Sequence, residues 1–146
     1  MKLVYRKYVI GFSFLFIFVS CLKNSVTIQS DSQFQKWKDL NISNYEFTLR
    51  VNCFCTLETV GPHNIVVRNN AIQTVNGVNY DPSKHGSVKT IDQLFVVISE
   101  NLAKKPFSKT LEYDTKYYFP SNIFFDLSEM IADEEIGYTV TQFKPR

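Results

Sequence analysis

The residues able to do chemistry are few. Two cysteines stand two positions apart, Cys53 and Cys55, and the chain has two histidines, His63 and His85. In a regular strand, residues two apart are separated by about 6.6 Å at Cα with parallel side chains, the outer limit of disulfide geometry. A flat strand does not close that ring, whereas a bulge or the start of a turn does. Three states are therefore open to the pair: a disulfide, two buried free thiols, or a metal pair completed by His63, which lacks further ligands. His63 follows a proline at a strand start and His85 lies in the loop 81–86 (DPSKHG), so both read as solvated turn residues. Two histidines leave little room for nucleophile-and-base chemistry. Asp126, Glu129, Asp133, Glu134 and Glu135 crowd one hairpin but lack the alternating oxygen-ligand loop with a fixed glycine that calcium takes, so a solvated tip is expected. Tyr113, Tyr117, Tyr118 and Phe119 cluster beside Pro120. They read as core and edge packing or, because tyrosine is favoured at interfaces, as a binding surface. Neither a Gly-rich phosphate loop nor a zinc-protease or serine-hydrolase motif is present, and no catalytic residue, metal or cofactor is expected.

The beginning of the chain reads as an address. Lys2, Arg6 and Lys7 precede the apolar run 8–19 (YVIGFSFLFIFV), which has the length of a signal-peptide core and is too short to span a bilayer. The run ends in Phe18-Val19-Ser20-Cys21, which resembles the lipobox of bacterial lipoproteins, with Phe18 where leucine is usual. The resemblance implies that 1–20 is removed, that Cys21 is lipidated, and that the protein stays on a membrane outside the cytoplasm, where disulfides form. Residues 22–30 (LKNSVTIQS) have no periodicity and read as a tether reaching at most about 30 Å. Without its three leader cations the chain carries a formal −1 rather than +2. Phosphate binding needs a basic footprint, so nucleic acid is not an expected partner.

What remains, 31–146, is the size of one domain. Ser32 and Gln35, three apart before Phe34, Trp37 and Leu40, predict a capping box opening a short amphipathic helix. From Tyr45 the period becomes two: Tyr45, Phe47, Leu49, Val51, Cys53 and Cys55 share the face assigned to the core. Asn69-Asn70 between 64–68 and 71–75 predicts a two-residue hairpin with Val67 opposite Ile72. Thr90 and Gln93 form a second capping box before Ile91, Leu94, Phe95, Ile98 and Leu102, a helix that Pro106 stops. Strands are predicted over 107–116, 122–127 and 136–143. The segment Pro62-His63-Asn64-Ile65 is echoed by Pro120-Ser121-Asn122-Ile123, a weak internal repeat. Grouped helices and neighbouring strands predict an α+β fold, an antiparallel β-sheet with two helices packed on one face.

Cys53-Phe54-Cys55, Pro62, the hairpin over 65–75, the helix from Ile91, Tyr113-Asp114 followed by Pro120 and Asp126, and the closing Tyr138, Val140 and Phe143 resemble the bacterial lipoprotein family called domain of unknown function 6174. That family favours glycine where this chain has Asn70 and Tyr118, and proline where it has Thr115. The resemblance implies location and architecture and assigns no activity. The expected role is that of a lipid-anchored cell-envelope binding or structural module, not an enzyme, with a membrane and an envelope protein as partners. A thiol-disulfide active protein using Cys53 and Cys55 is the alternative, and an inhibitor of an envelope enzyme the third reading.

Overall fold

The structure, a computed structural model, describes residues 32–131 and 133–146. Helix α1 (Ser32–Asp39) leads into β1 (Tyr45–Asn52), a short α2 (Leu57–Val60), β2 (His63–Arg68), β3 (Ala71–Val75) and β4 (Val78–Asn79). Helix α3 (Ile91–Ala103) then carries the chain to β5 (Ser108–Tyr113), β6 (Pro120–Asp126) and β7 (Ile136–Pro145). The strands form one antiparallel sheet in the order β4-β3-β2-β1-β7-β6-β5. The fold is α+β, as the residue pattern predicts. Because α3 crosses from one edge of the sheet to the other, the meander β5-β6-β7 comes back to close on β1.

One face of the sheet makes the core. Tyr45, Phe47, Leu49 and Val51 of β1 are buried with Ile65 and Val67 of β2, Ile123 and Phe125 of β6, and Tyr138 and Val140 of β7. Simple alternation along β7 would turn Gln142 inward and Phe143 outward. The β1–β7 register shifts by one residue between Glu46 and Thr48, and Gln142 takes φ 53°, so a bulge brings Phe143 to the core side. There its ring meets Phe119 at 4.7 Å, Tyr117 at 5.1 Å, Tyr45 at 5.4 Å and Trp37 at 5.8 Å. The β2–β3 hairpin turns through Asn69 (φ 49°) and Asn70 (φ 61°) with Val67 opposite Ile72, the predicted pairing.

Both longer helices lie on this face. The Thr90–Gln93 capping box is present, and Ile91, Leu94, Phe95 and Ile98 of α3 are buried. The Tyr45 hydroxyl accepts the Ile91 N–H at 3.1 Å, which satisfies a helix donor that has no partner within α3 and ties α3 to β1. Asp92, in the first turn of α3, clamps α1: it accepts from the Trp37 indole at 2.6 Å and the Lys38 ammonium at 2.8 Å. At α1 the Gln35 amide donates to Asp39 at 2.7 Å, one turn onward, instead of completing a box with Ser32. The Pro62 and Pro120 echoes are not a structural repeat, since β2 and β6 run in opposite directions and their prolines lie at opposite ends of the sheet.

That gives the sheet two unlike ends. The starts of β1 and β6 lie with α1 and the start of α3. The end of β1 and the starts of β2, β5 and β7 lie at the other end, with the β1–α2 and β6–β7 loops.

Candidate functional site

The cysteines belong to this second, loop end. The strand β1 stops at Asn52, so the alternation does not run on: Cys53 still packs against the core, while Cys55 is turned out to solvent. The Cys55 N–H bonds back to the Cys53 carbonyl at 2.9 Å, a turn that shortens their Cα separation to 5.3 Å and joins them in a disulfide. Cys53 is half-buried against the core and Cys55 is exposed. Buried free thiols are thereby excluded, and with both sulfurs in one bond the pair offers no thiolate for a metal. Among the described residues no group of three His, Cys, Asp or Glu is placed to hold a metal ion.

The closed turn displays its neighbours. Phe54, between the cysteines, is 82% exposed, and Leu57, which opens α2 after the Thr56 cap, is 89% exposed. Across from them the β6–β7 loop presents Met130, 92% exposed, and Ile131. The Asp126 carboxylate accepts from the Ser128 N–H at 3.1 Å and the Ser128 carbonyl from the Ile131 N–H at 3.3 Å, so the loop is folded on itself. A depression of about 350 Å³ lined by Cys53, Phe54, Phe124, Asp133 and Glu135 joins the two loops. The acidic hairpin is solvated at Glu129 and Asp133 and also carries the exposed Met130 and Ile131.

On the same end, toward β4, a cleft of about 530 Å³ is lined by residues that include Glu58, His63, Lys84 and His85. His63 is only 6% exposed, against the expectation of a solvated turn residue. Its ring sits opposite Leu49, and its Nε2 meets the Thr59 carbonyl at 3.0 Å, so Nε2 carries the proton. Nδ1 is enclosed with no hydrogen-bond partner among the described residues. Gly61 makes room for this ring: a Cβ there would come within 2.7 Å of His63 Cδ2, and φ 83° already favours glycine. His85 Nδ1 accepts the Asp81 N–H at 3.1 Å and the ring stacks on Tyr80, so His85 closes its own loop. The Ser83 hydroxyl and N–H on Asp81 hold that carboxyl below its usual range.

The aromatic cluster lies at the other end and is packing, not an open surface. Phe119 is buried in the core, Tyr113 and Tyr117 pack against it, and Tyr113 stacks on Phe95 at 6.2 Å. Tyr118 is half-buried under Lys36, whose Nζ is 5.3 Å from the ring centroid. Asp114 shapes this turn by accepting the N–H groups of Lys116 at 2.9 Å and Tyr117 at 2.6 Å. Cys21 lies outside the described residues. Among the described residues no helix is long and apolar enough to cross a membrane.

The removal of both sulfurs, Cys53→Ser with Cys55→Ser, opens a ring of sequence separation 2. Loop entropy for so short a ring gives an expected loss of about 1–2 kcal/mol, read by thermal unfolding. Neither cysteine should react with a thiol reagent before reductant is added. Labelling of the untreated protein would contradict the bond.

Fold and site together define a two-layer α+β protein, one antiparallel sheet with helices on one face and a disulfide-closed turn at one end. The sequence profile of the Family of unknown function (DUF6174) matches residues 29–145, and the chain belongs to that family. No curated protein and no solved structure matches the chain.

Proposed function

We propose that this is a lipid-anchored cell-envelope protein whose domain is a non-enzymatic binding module, held on a membrane through Cys21 and meeting an envelope protein with its loop end. The observation that carries this reading is that Phe54, Leu57, Met130 and Ile131 are all exposed on two segments at one end of the sheet, which a depression bordered by Phe54 and Asp133 joins. Large apolar side chains grouped outside the core are the usual mark of an interaction site. Their place also suits a tethered protein. The chain enters the domain at α1, and the strand β1 separates that entrance from the loop end by about 23 Å.

The test has two arms in the native host. Full-length protein should enter the detergent phase on phase separation, and Cys21→Ser should move it to the aqueous phase without unfolding it. An unmodified Cys21 by mass spectrometry would remove the anchor from the reading. A photo-crosslinking residue at position 57 or 130 should link the protein to a neighbour in intact cells, while one at position 144, exposed at the other end of the sheet, should not. Equal crosslinking at all three would remove the loop end.

A second reading, a thiol-disulfide active protein, is favoured by the exposure of Cys55 beside Phe54 and Leu57. A partner thiolate would attack Cys55 Sγ, form a mixed disulfide and release the Cys53 thiolate. A second partner thiol would then displace Cys55, leaving an oxidised partner and a reduced Cys53/Cys55 dithiol. Stoichiometric oxidation of a dithiol peptide, lost in the double serine variant, would promote this reading over the binding module.

A further inference from the structure

The two loops that carry the exposed apolar side chains are of one charge. Residues 53–62 and 127–135 contain Glu58, Glu129, Asp133, Glu134 and Glu135 and no lysine or arginine. Glu58, Glu129 and Asp133 are exposed, and Asp133 and Glu135 border the depression beside Phe54. The cations of this end flank the two loops instead of sitting in them: Lys84 shares the cleft toward β4 with Glu58, and Lys104 and Lys105 follow α3 on the side of Phe107 and β5. An apolar centre with a fringe of a single sign selects its partner by charge.

We infer that the tip formed by Phe54, Leu57, Met130 and Ile131, with its fringe of Glu58, Glu129 and Asp133, docks onto a partner polypeptide whose contact face is apolar at its centre and basic at its edge. This rests on the reading of the loop end as a partner surface and adds the partner's chemistry. A membrane is the poorer occupant. Side chains that insert among lipids are normally flanked by lysine and arginine, which anionic headgroups attract, and carboxylates in that position are repelled. The apolar side chains supply contact that salt does not weaken, and the fringe supplies attraction that salt screens.

The test uses the full chain and two labelled helical peptides, one with leucine on one face and lysine on the other, the second with glutamate in place of lysine. The lysine peptide should bind at least about tenfold tighter than the glutamate peptide, by fluorescence anisotropy, and lose most of that preference when salt is raised from about 0.05 M to about 0.5 M. The variant Glu58→Gln, Glu129→Gln, Asp133→Asn should erase the preference. Leu57→Ser with Met130→Ser should weaken the lysine peptide by about tenfold or more. All five positions are exposed, so unchanged thermal midpoints are expected for every variant. Equal binding of the two peptides, or no binding of either, overturns the inference. Cosedimentation with phosphatidylglycerol vesicles that Met130→Ser abolishes also overturns it, in favour of a membrane. If the peptides fail while a crosslinker at position 57 still links a neighbour in cells, the partner surface stands and only its basic character falls.

Discussion

Phe95→Ala is expected to destabilise the domain by roughly 3–5 kcal/mol, the cost of emptying a phenylalanine site in a well-packed core. In a domain of this size that lowers the thermal midpoint by roughly 10–25 °C. Phe95 is buried in the middle of α3, 4.9 Å from the Phe34 ring and 6.2 Å from the Tyr113 ring. It therefore joins three elements: α1 through Phe34, α3 itself, and the end of β5 through Tyr113. Deleting the ring removes contact area from all three, and helices on one side of a single sheet have no second layer to collapse from. Phe54→Ala is the matched control. The same chemical change at an exposed position should alter stability by no more than about 0.5 kcal/mol. A small loss at Phe95, or equal losses at both, would mean that α3 does not cover the sheet.

The contrast between those two phenylalanines shows what a residue pattern can carry. Phe95 was legible because helical periodicity, a Thr90–Gln93 capping box and a stopping proline agree with one another over a whole helix. The hairpin was legible because Asn69-Asn70 is a local turn signal with a fixed consequence for register. Period-two alternation, by contrast, says nothing about where a strand ends. Cysteine passes for a small apolar residue, so the alternation of β1 ran on through Cys53 and Cys55, although the chain had already turned at Asn52. The burial of His63 is hidden in the sequence for a related reason: the proline before it signals a strand start, but the space for its ring comes from Gly61 and its neighbours across the sheet. Phe143 reaches the core only through a bulge, which depends on the pairing of β7 with β1. At Asn70 and Tyr118, where the family favours glycine, both residues adopt φ 61°, so the glycine-type turns persist without glycine. The tip was illegible altogether. Phe54, Leu57, Met130 and Ile131 are scattered in sequence, and only the sheet order brings their loops to one end.

Raising the pH should unfold the protein through a tyrosine that never meets water. Burial pushes the Tyr45 phenol up to about 12 from its usual 10.0, and Asp92 nearby adds to the rise, while the hydrogen bonds with Ile91 and Thr90 oppose it. Burial raises Tyr138 in the same direction. A folded-state pKa above the unfolded one means that the unfolded chain releases its proton first. The stability held by the neutral phenol is thus fully present below about pH 10 and is lost as pH rises toward about 12, to a limit of roughly 2–3 kcal/mol for Tyr45. Unfolding by urea across that range should show a midpoint that is level to about pH 10 and then falls. Tyr45→Phe tests the assignment. It leaves the Ile91 N–H without its acceptor, so the variant should be less stable by about 1–2 kcal/mol at neutral pH. Its alkaline fall should nevertheless be shallower than that of the parent, because the largest of the raised groups is gone. An equally steep fall in the variant would assign the alkaline transition to other groups. A parent midpoint that stays level to pH 12 would mean that the Tyr45 hydroxyl is open to solvent, and with it the contact between β1 and the start of α3.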